Sequence, residues 1–271
     1  MVGTKTGKRK GKKGYDPSKF PVFAVTVDVV ILTIAAGRLQ VLLVRRGAEP
    51  YKGRWAIPGG FKRPEETLQE AARRELVEET GVEGASLLTQ FGAYGDPGRD
   101  PRMNVVSVAH LAVLPEVGDL VAGTDAAGAF LVPVSEALQG SVALAFDHAR
   151  ILADAVERVR ADLDLTGIAT RFVGPTFTLT ELREVYEAAW GIRLDPSNFR
   201  RRVVGEEGWV IPTRRRARPG STGGKPAELF RAGRRWQQGS PVRRSRPNVL
   251  RPGSSAREGR RSPATAGKRL T

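Results

Sequence analysis

Three glutamates, Glu75, Glu78 and Glu79, stand at positions i, i+3 and i+4 of a segment with helical periodicity. That spacing puts their carboxylates on one face of a helix, where they repel one another unless a cation lies between them. Hard oxygen ligands on one rigid face suit Mg2+ or Mn2+, ions that keep several waters and share their remaining positions with phosphate oxygens. The helix is predicted over about Glu65 to Thr80. Leu68, Ala71, Ala72, Leu76 and Val77 form the apolar stripe that seats it and turns the acids toward the preceding loop. In that loop Gly59-Gly60 permits a tight backbone approach, and Gly81 ends the helix as a left-handed cap.

The run Gly60-Phe-Lys-Arg-Pro-Glu-Glu66, seven intervening residues, and then Arg74-Glu75-Leu76-Val77-Glu78-Glu79-Thr80-Gly81-Val82 satisfies every position of the Nudix signature. The chain therefore resembles the Nudix hydrolase superfamily over about residues 20–165. The resemblance implies that Glu75, Glu78 and Glu79 ligate the metal, that Gly60 can add its carbonyl, and that Arg74 and Glu66 support the acids within the same catalytic set. The reaction it implies is attack of metal-activated water on a pyrophosphate linkage, releasing a nucleoside monophosphate. The general base stays open among the carboxylates.

A second polar cluster, Gly95-Asp-Pro-Gly-Arg-Asp-Pro-Arg102, lies between two predicted strands. Its residue types make turns, while Arg99 and Arg102 are the candidates for clamping phosphate or ribose. The loop resembles one in Nudix proteins acting on ADP-ribose, which makes ADP-ribose or a related nucleoside diphosphate the expected ligand. Trp55 and Phe61 are assigned to the core. His110 and His148 have no Ser or Cys partner at a useful spacing, so no nucleophilic triad is readable. Gly220 to Lys225 falls short of a phosphate loop, because Pro219 replaces its first glycine and Pro226 follows the lysine.

Elements must hold these groups in place. From Val22 to Leu114 the pattern is strand, strand, Gly/Pro loop, amphipathic helix, strand, loop, strand. That is an α+β arrangement, a Nudix α/β/α sandwich with a mixed sheet rather than repeated βαβ units. Asp147 to Leu163 reads as a second helix with Asp147 as its cap. The apolar run Val22 to Ala36 follows a Lys-rich stretch, but Asp28 within it argues for a buried strand over a secretory signal, and it is too short for a membrane span. The 271 residues contain no cysteine, which removes disulfides, Cys-ligated zinc and thiol nucleophiles and suits a cytoplasmic protein. The net charge of +15 segregates into about +6 over 1–20, about −6 over 21–170 and about +15 over 171–271. An acidic middle suits a metal site, and a basic carboxyl third suits a polyanion.

In that basic third, Thr178-Leu-Thr-Glu181 is a capping box, followed by a helix that ends at Gly191. Asp195 and Pro196 then start a second helix with Phe199 and Val203 facing inward. Two helices joined by a short turn form a helix-turn-helix candidate, with Ser197, Asn198, Arg200, Arg201 and Arg202 available to DNA. Trp209 to Ile211 and Ala227 to Phe230 read as strands flanking a basic wing that carries Arg214, Arg215 and Arg216. Phe146 to Arg150, Phe177 to Arg183, Leu194 to Arg201 and Gly224 to Arg231 carry a resemblance to the Nudix-related transcriptional regulators of NAD metabolism. The resemblance implies a homodimer, a palindromic double-stranded DNA operator and release by ADP-ribose. Some members have degraded Nudix boxes; this one is intact, which argues against a purely non-catalytic sensor.

The expected organisation is a disordered basic arm over 1–19, a Nudix domain over 20–165, a winged-helix DNA-binding domain over 172–232 and a disordered basic tail over 236–271. Its expected location is cytoplasmic and, when DNA-bound, nucleoid-associated, with no membrane partner. The competing reading is a stand-alone Nudix pyrophosphohydrolase whose basic ends hold RNA or another polyanion non-specifically.

Overall fold

The computed structural model describes residues 16–82, 88–115, 126–217, 226–235 and 239–244. Its first unit is built on a mixed sheet of β1 (Ala24–Ala35), β2 (Arg38–Arg46), β3 (Trp55–Ala56), β4 (Gly59–Phe61), β5 (Leu88–Tyr94), β6 (Val105–Val113) and β7 (Ala126–Pro133). The central path runs β3-β2-β1-β6-β5, with β4 added to β1 and β7 to β2. β1 and β6 are parallel, and the other pairings are antiparallel. Ala36 and Gly37 both take positive φ in the two-residue β1–β2 turn, a hairpin geometry that matches the twist of the strands it joins.

β1 is apolar on both faces because both are covered. Val27, Val29 and Ile31 pack under α1 (Leu68–Thr80) with Ala71, Ala72 and Leu76. Val30 and Leu32 face the other way, into a cluster with Ile151, Leu152, Ala155 and Val159 of α3 (His148–Leu165). A short α2 (Val134–Leu138) closes the end of that layer. α1 begins at Leu68, later than the expected Glu65, because Thr67 and Glu70 form a reciprocal capping box. Val77, assigned to the buried stripe, is instead 42% exposed. Gly81 caps the helix at φ 69°.

The second unit follows a 3-10 turn, Ile168–Arg171. α4 (Leu179–Trp190) has the Thr178–Glu181 capping box and ends at Gly191 with φ 68°. Buried Glu187 accepts the Leu194 main-chain N–H at 2.8 Å, fixing the turn that leads to α5 (Pro196–Gly205). Asp195 caps α5 by accepting the Asn198 N–H at 2.8 Å. β8 (Val210–Arg216) and β9 (Glu228–Ala232) form the wing ladder, and Phe177 adds an isolated bridge to Phe230. Arg214, Arg215 and Arg216 therefore lie on β8 itself, not in the loop between two shorter strands. Residues 218–225, which include most of that loop and the Gly220 to Lys225 segment, lie outside the described residues.

The two units share one apolar core, running from α3 through Ile168 and Phe172 to Leu182, Tyr186 and Trp190 of α4. Trp190 Nε1 donates to the Arg160 carbonyl at 3.3 Å, and Arg160 Nε donates to the Ala189 carbonyl at 2.8 Å. Residues 239–244, expected within a disordered tail, are instead seated across this junction. Val242 is buried, Ser240 Oγ lies 3.0 Å from the Tyr186 hydroxyl, and Arg244 donates its N–H to Asp164 at 2.7 Å. At the other terminus Pro17–Lys19 form a 3-10 turn within the expected disordered arm; residues 1–15 and 245–271 lie outside the described residues.

Candidate functional site

β4 carries Gly59 and Gly60 against β1 opposite Asp28 and Val27. The approach is too close for any side chain: a Cβ at Gly59 would lie 2.2 Å from the Val27 carbonyl oxygen, and one at Gly60 2.3 Å from Glu75 Oε1. α1 then brings its acids to this strand. Glu79 accepts the Gly59 N–H at 3.0 Å. Burial nevertheless pushes the Glu79 carboxyl up to about 7, the Gly59 hydrogen bond only partly offsetting it. Burial also raises Glu75, partly offset by its bond to Arg74.

Arg74 organises the remaining acids. Its guanidinium donates to Glu66 at 2.7 and 3.0 Å, to Glu75 at 2.6 Å, to Glu78 at 3.0 Å and to the Phe61 carbonyl at 3.1 Å. The hydrogen bonds from Arg74 and from the Arg63 main chain hold Glu66 down at about 2, so it stays ionised. Glu78 is on the outer side, also 3.5 Å from Arg63. Among the described residues no three His, Asp or Glu side chains are gathered as a ready metal site, because Arg74 draws Glu75 and Glu78 to itself. The donor set still fits a divalent cation. Two poorly solvated carboxylates, Glu75 and Glu79, flank a glycine cradle that a Cβ would fill, and nearby positive charge would restore their ionised forms.

Beside the acids opens a cavity of about 280 Å³, lined among others by Asp28, Arg46, Phe61, Arg102, Phe146 and His148. Phe61, assigned to the core, is 43% exposed and forms part of this wall. Trp55 is half-buried against the core, edge-on to Phe130. Arg102 lies 5.3 Å from the Phe61 ring centre and 5.8 Å from that of Phe146, and Arg46 lies 4.8 Å from the Phe146 ring centre. Arg102 is paired with Asp100 at 2.7 Å but remains 42% exposed at the mouth, within reach of an anion. Arg99 is placed differently. It is buried and donates to Asp147 at 2.6 and 3.0 Å, with Asp28 3.6 Å away. So engaged, the guanidinium braces the cavity floor, and Arg99 is at the same time among the residues that line it. The pairing also explains why Asp147 makes no side-chain cap on α3.

The residues that sequence reasoning missed lie here. Asp28 accepts from Ser107 Oγ and faces both Arg99 and His148. The signal for it was a carboxylate inside an apolar strand, since a buried charge requires partners. His148 showed no partner by spacing because its hydrogen bond, from the Ile57 N–H, spans distant segments. His110 is buried in β6 with Nδ1 3.1 Å from the Val108 carbonyl oxygen.

A second surface is basic. Phe199 and Val203 are buried, so Ser197, Asn198, Arg200, Arg201 and Arg202 are left on the exposed side of α5. Arg201 donates to Asn198 Oδ1 at 2.7 Å, and Arg200 reaches Glu228 of β9 at 3.3 Å, tying the helix to the wing. Arg200, Arg214, Arg215 and Arg216 line a concavity of about 420 Å³, and Arg214 takes φ 60° where the β8–β9 register shifts.

Residues 22–155 match the NUDIX domain family, and residues 169–232 match the NrtR DNA-binding winged helix domain. An ADPR responsive transcriptional repressor, NtrR, of Acinetobacter baylyi is 34% identical over 219 residues, covering 80% of this chain and 85% of that protein. An ADP-ribose pyrophosphatase of Methanocaldococcus jannaschii is 38% identical over 155 residues, 55% of this chain and 85% of that protein. Among solved structures, Shewanella oneidensis NrtR complexed with a 27mer DNA superimposes with a TM-score of 0.65 at 30% identity, over 77% of this chain and 93% of that one.

Proposed function

The chain belongs to the Nudix-related regulators, in which a Nudix domain is followed by an NrtR-type DNA-binding winged helix, and from that membership we propose that it is an ADP-ribose-responsive transcriptional regulator. The observation that carries the reading is the alignment with the A. baylyi repressor across both units. The exposed Asn198 and Arg201 on α5 suit base edges, and the arginines of β8 suit phosphate. The proposed partners are ADP-ribose or a related nucleoside diphosphate and a double-stranded operator near genes of NAD metabolism. The acting form is a homodimer, cytoplasmic and nucleoid-associated when bound. Among the described residues no helix is long and apolar enough to cross a membrane. Fluorescence anisotropy with a duplex from the gene's own upstream region tests this. ADP-ribose should weaken binding at least tenfold, and equal affinity for random DNA, or indifference to ADP-ribose, would overturn it.

The same pocket supports hydrolysis of ADP-ribose to AMP and ribose 5-phosphate with Mg2+ or Mn2+. Glu75, Glu78 and Glu79 with the Gly60 carbonyl are the proposed metal ligands, and Arg74 with Glu66 holds the acids in place. Once bound, such a cation supplies positive charge to the pyrophosphate and acidifies water. Arg102 would meet the phosphates at the mouth, while Arg99 supports the floor through Asp147. The intact box and the similarity to the M. jannaschii pyrophosphatase support this activity. A panel of ADP-ribose, NADH, diadenosine polyphosphates and NTPs tests it, and absence of metal-dependent turnover on all of them ends the catalytic half. The second reading, a stand-alone hydrolase holding RNA non-specifically, rests on the basic termini and predicts no preference for operator over random duplex.

A further inference from the structure

Three consecutive residues at the start of α3 each fasten a different part of the pocket. Phe146 takes φ 51°, an uncommon backbone for a residue with a Cβ, and its ring covers the cavity between Arg46 and Arg102. Asp147 pins Arg99 and with it the 95–102 loop. His148, 4% exposed, accepts the Ile57 N–H on Nδ1 at 2.9 Å. That bond assigns the proton to Nε2, which faces Asp28 Oδ1 at 3.7 Å.

The consequence lies in what Ile57 begins. The next residues are Pro58, whose carbonyl accepts the Val29 N–H at 2.8 Å, and Gly59, whose N–H reaches Glu79. Gly60 then rests against Glu75. The loop is held at three successive points, and two of its anchors, Val29 and Glu79, belong to the strand and helix that flank it. The third comes from α3, about ninety residues away in the chain. With Asp28 at its Nε2 and Arg99 beside Asp28, His148 joins β1, the glycine loop, the 95–102 loop and α3 at one point.

We propose that His148 is a positioning residue for the metal loop: by accepting the Ile57 N–H it sets where Gly59 and Gly60 stand relative to Glu79 and Glu75, and so sets the affinity of the site for a divalent cation. The inference rests on the metal-binding reading above. It does not require that the site turn over. Groups that orient the elements of a metal site change affinity by roughly 10- to 100-fold without touching the ion.

The test uses full-length protein and two replacements of similar size. In His148→Asn the amide oxygen can occupy the place of Nδ1 and accept the Ile57 N–H; in His148→Gln the amide reaches toward the place of Nε2 and cannot. His148→Leu removes the acceptor altogether. Mn2+ affinity is read by electron paramagnetic resonance of the free ion, and protection of the Ile57 amide by hydrogen exchange. His148→Gln and His148→Leu should lose about tenfold or more in Mn2+ affinity and expose Ile57 to faster exchange, while His148→Asn keeps both within about threefold of wild type. If His148→Leu does not fold, the Asn and Gln pair decides alone. Equal losses in Asn and Gln, or unchanged Mn2+ affinity in Gln, would overturn the proposal. Wild type that binds Mn2+ without turnover would end the hydrolytic reading and leave this one standing. Wild type that binds no Mn2+ would end both.

Discussion

Glu79 has opposite consequences for stability and for function. Its carboxyl, ordinarily near 4.5, is pushed to about 7 in the fold because burial outweighs the Gly59 hydrogen bond. A carboxyl whose folded value lies above its unfolded value favours the fold below pH ~4.5, and that contribution is lost as pH rises through ~7. The metal-free protein should therefore lose stability across that window. Glu79→Gln, which stays neutral, should be more stable than wild type at pH 8 by up to ~3 kcal/mol and match it near pH 4.5. Added Mn2+ should reverse the order at pH 8, stabilising wild type while leaving the variant unmoved. Turnover of Glu79→Gln should fall at least a hundredfold, roughly 3 kcal/mol of lost transition-state stabilisation. Parallel melting of both proteins from pH 5 to 8 would show that the Glu79 carboxyl is not desolvated as described. At this scale the box itself was legible in the sequence, since carboxylates at i, i+3 and i+4 after two glycines constrain chemistry by type and spacing. The pairing of Arg99 was not, because nothing local points to Asp147, 48 residues away, as the acceptor of its hydrogen bonds.

Elements were readable where their determinants are local. The capping box at Thr178, the Asp195 cap and the glycines that end α1 and α4 are decided within a few residues of each helix end; the box at Thr67 is equally local but went unread, so α1 was placed from Glu65. β3, β4 and β7 were missed because two are only 2 and 3 residues long and all are defined by pairing with β1 or β2. The recognition helix supports a prediction of its own. Asp195→Ala should fray the first turn of α5 and cost ~1 kcal/mol, weakening operator binding more than non-specific binding, because Ser197 and Asn198 sit in that turn. Arg201→Ala, which removes the partner of Asn198, should also weaken operator binding selectively. Arg215→Ala on β8 should weaken operator and random DNA alike and reduce the slope of log affinity against log salt by about one. Equal losses on both DNAs for Arg201→Ala and Arg215→Ala would mean that α5 does not enter the groove.

At the scale of the whole molecule, the question is what makes one body of a pocket and a basic surface. α3 runs from His148 in the cavity to Arg160 and Asp164 at the junction. The short segment 239–244 then closes the seam from outside: Trp209 Nε1 donates to the Gly239 carbonyl at 2.8 Å, Ser240 meets Tyr186, and Arg244 is bound to Asp164. Its Gly, Ser, Pro and Arg content resembles the tail around it, so only Val242, buried to 3% exposure, separates a seated segment from a solvated one, and a lone valine carries little signal in sequence. Val242→Asp would put a carboxylate into that apolar seat, at a cost of ~2–3 kcal/mol or release of the segment. Because the segment touches α4, the wing and α3 together, its release should uncouple the units: a single thermal transition in wild type becomes two by calorimetry. ADP-ribose should then raise only the transition of the Nudix unit, whereas in wild type it raises the shared one. Operator affinity should fall in parallel, since the winged helix is no longer held against α3. A Val242→Asp protein that keeps one transition, with wild-type DNA affinity, would show that the α3–α4 contacts at Arg160 and Trp190 suffice and that 239–244 rests on the junction without securing it.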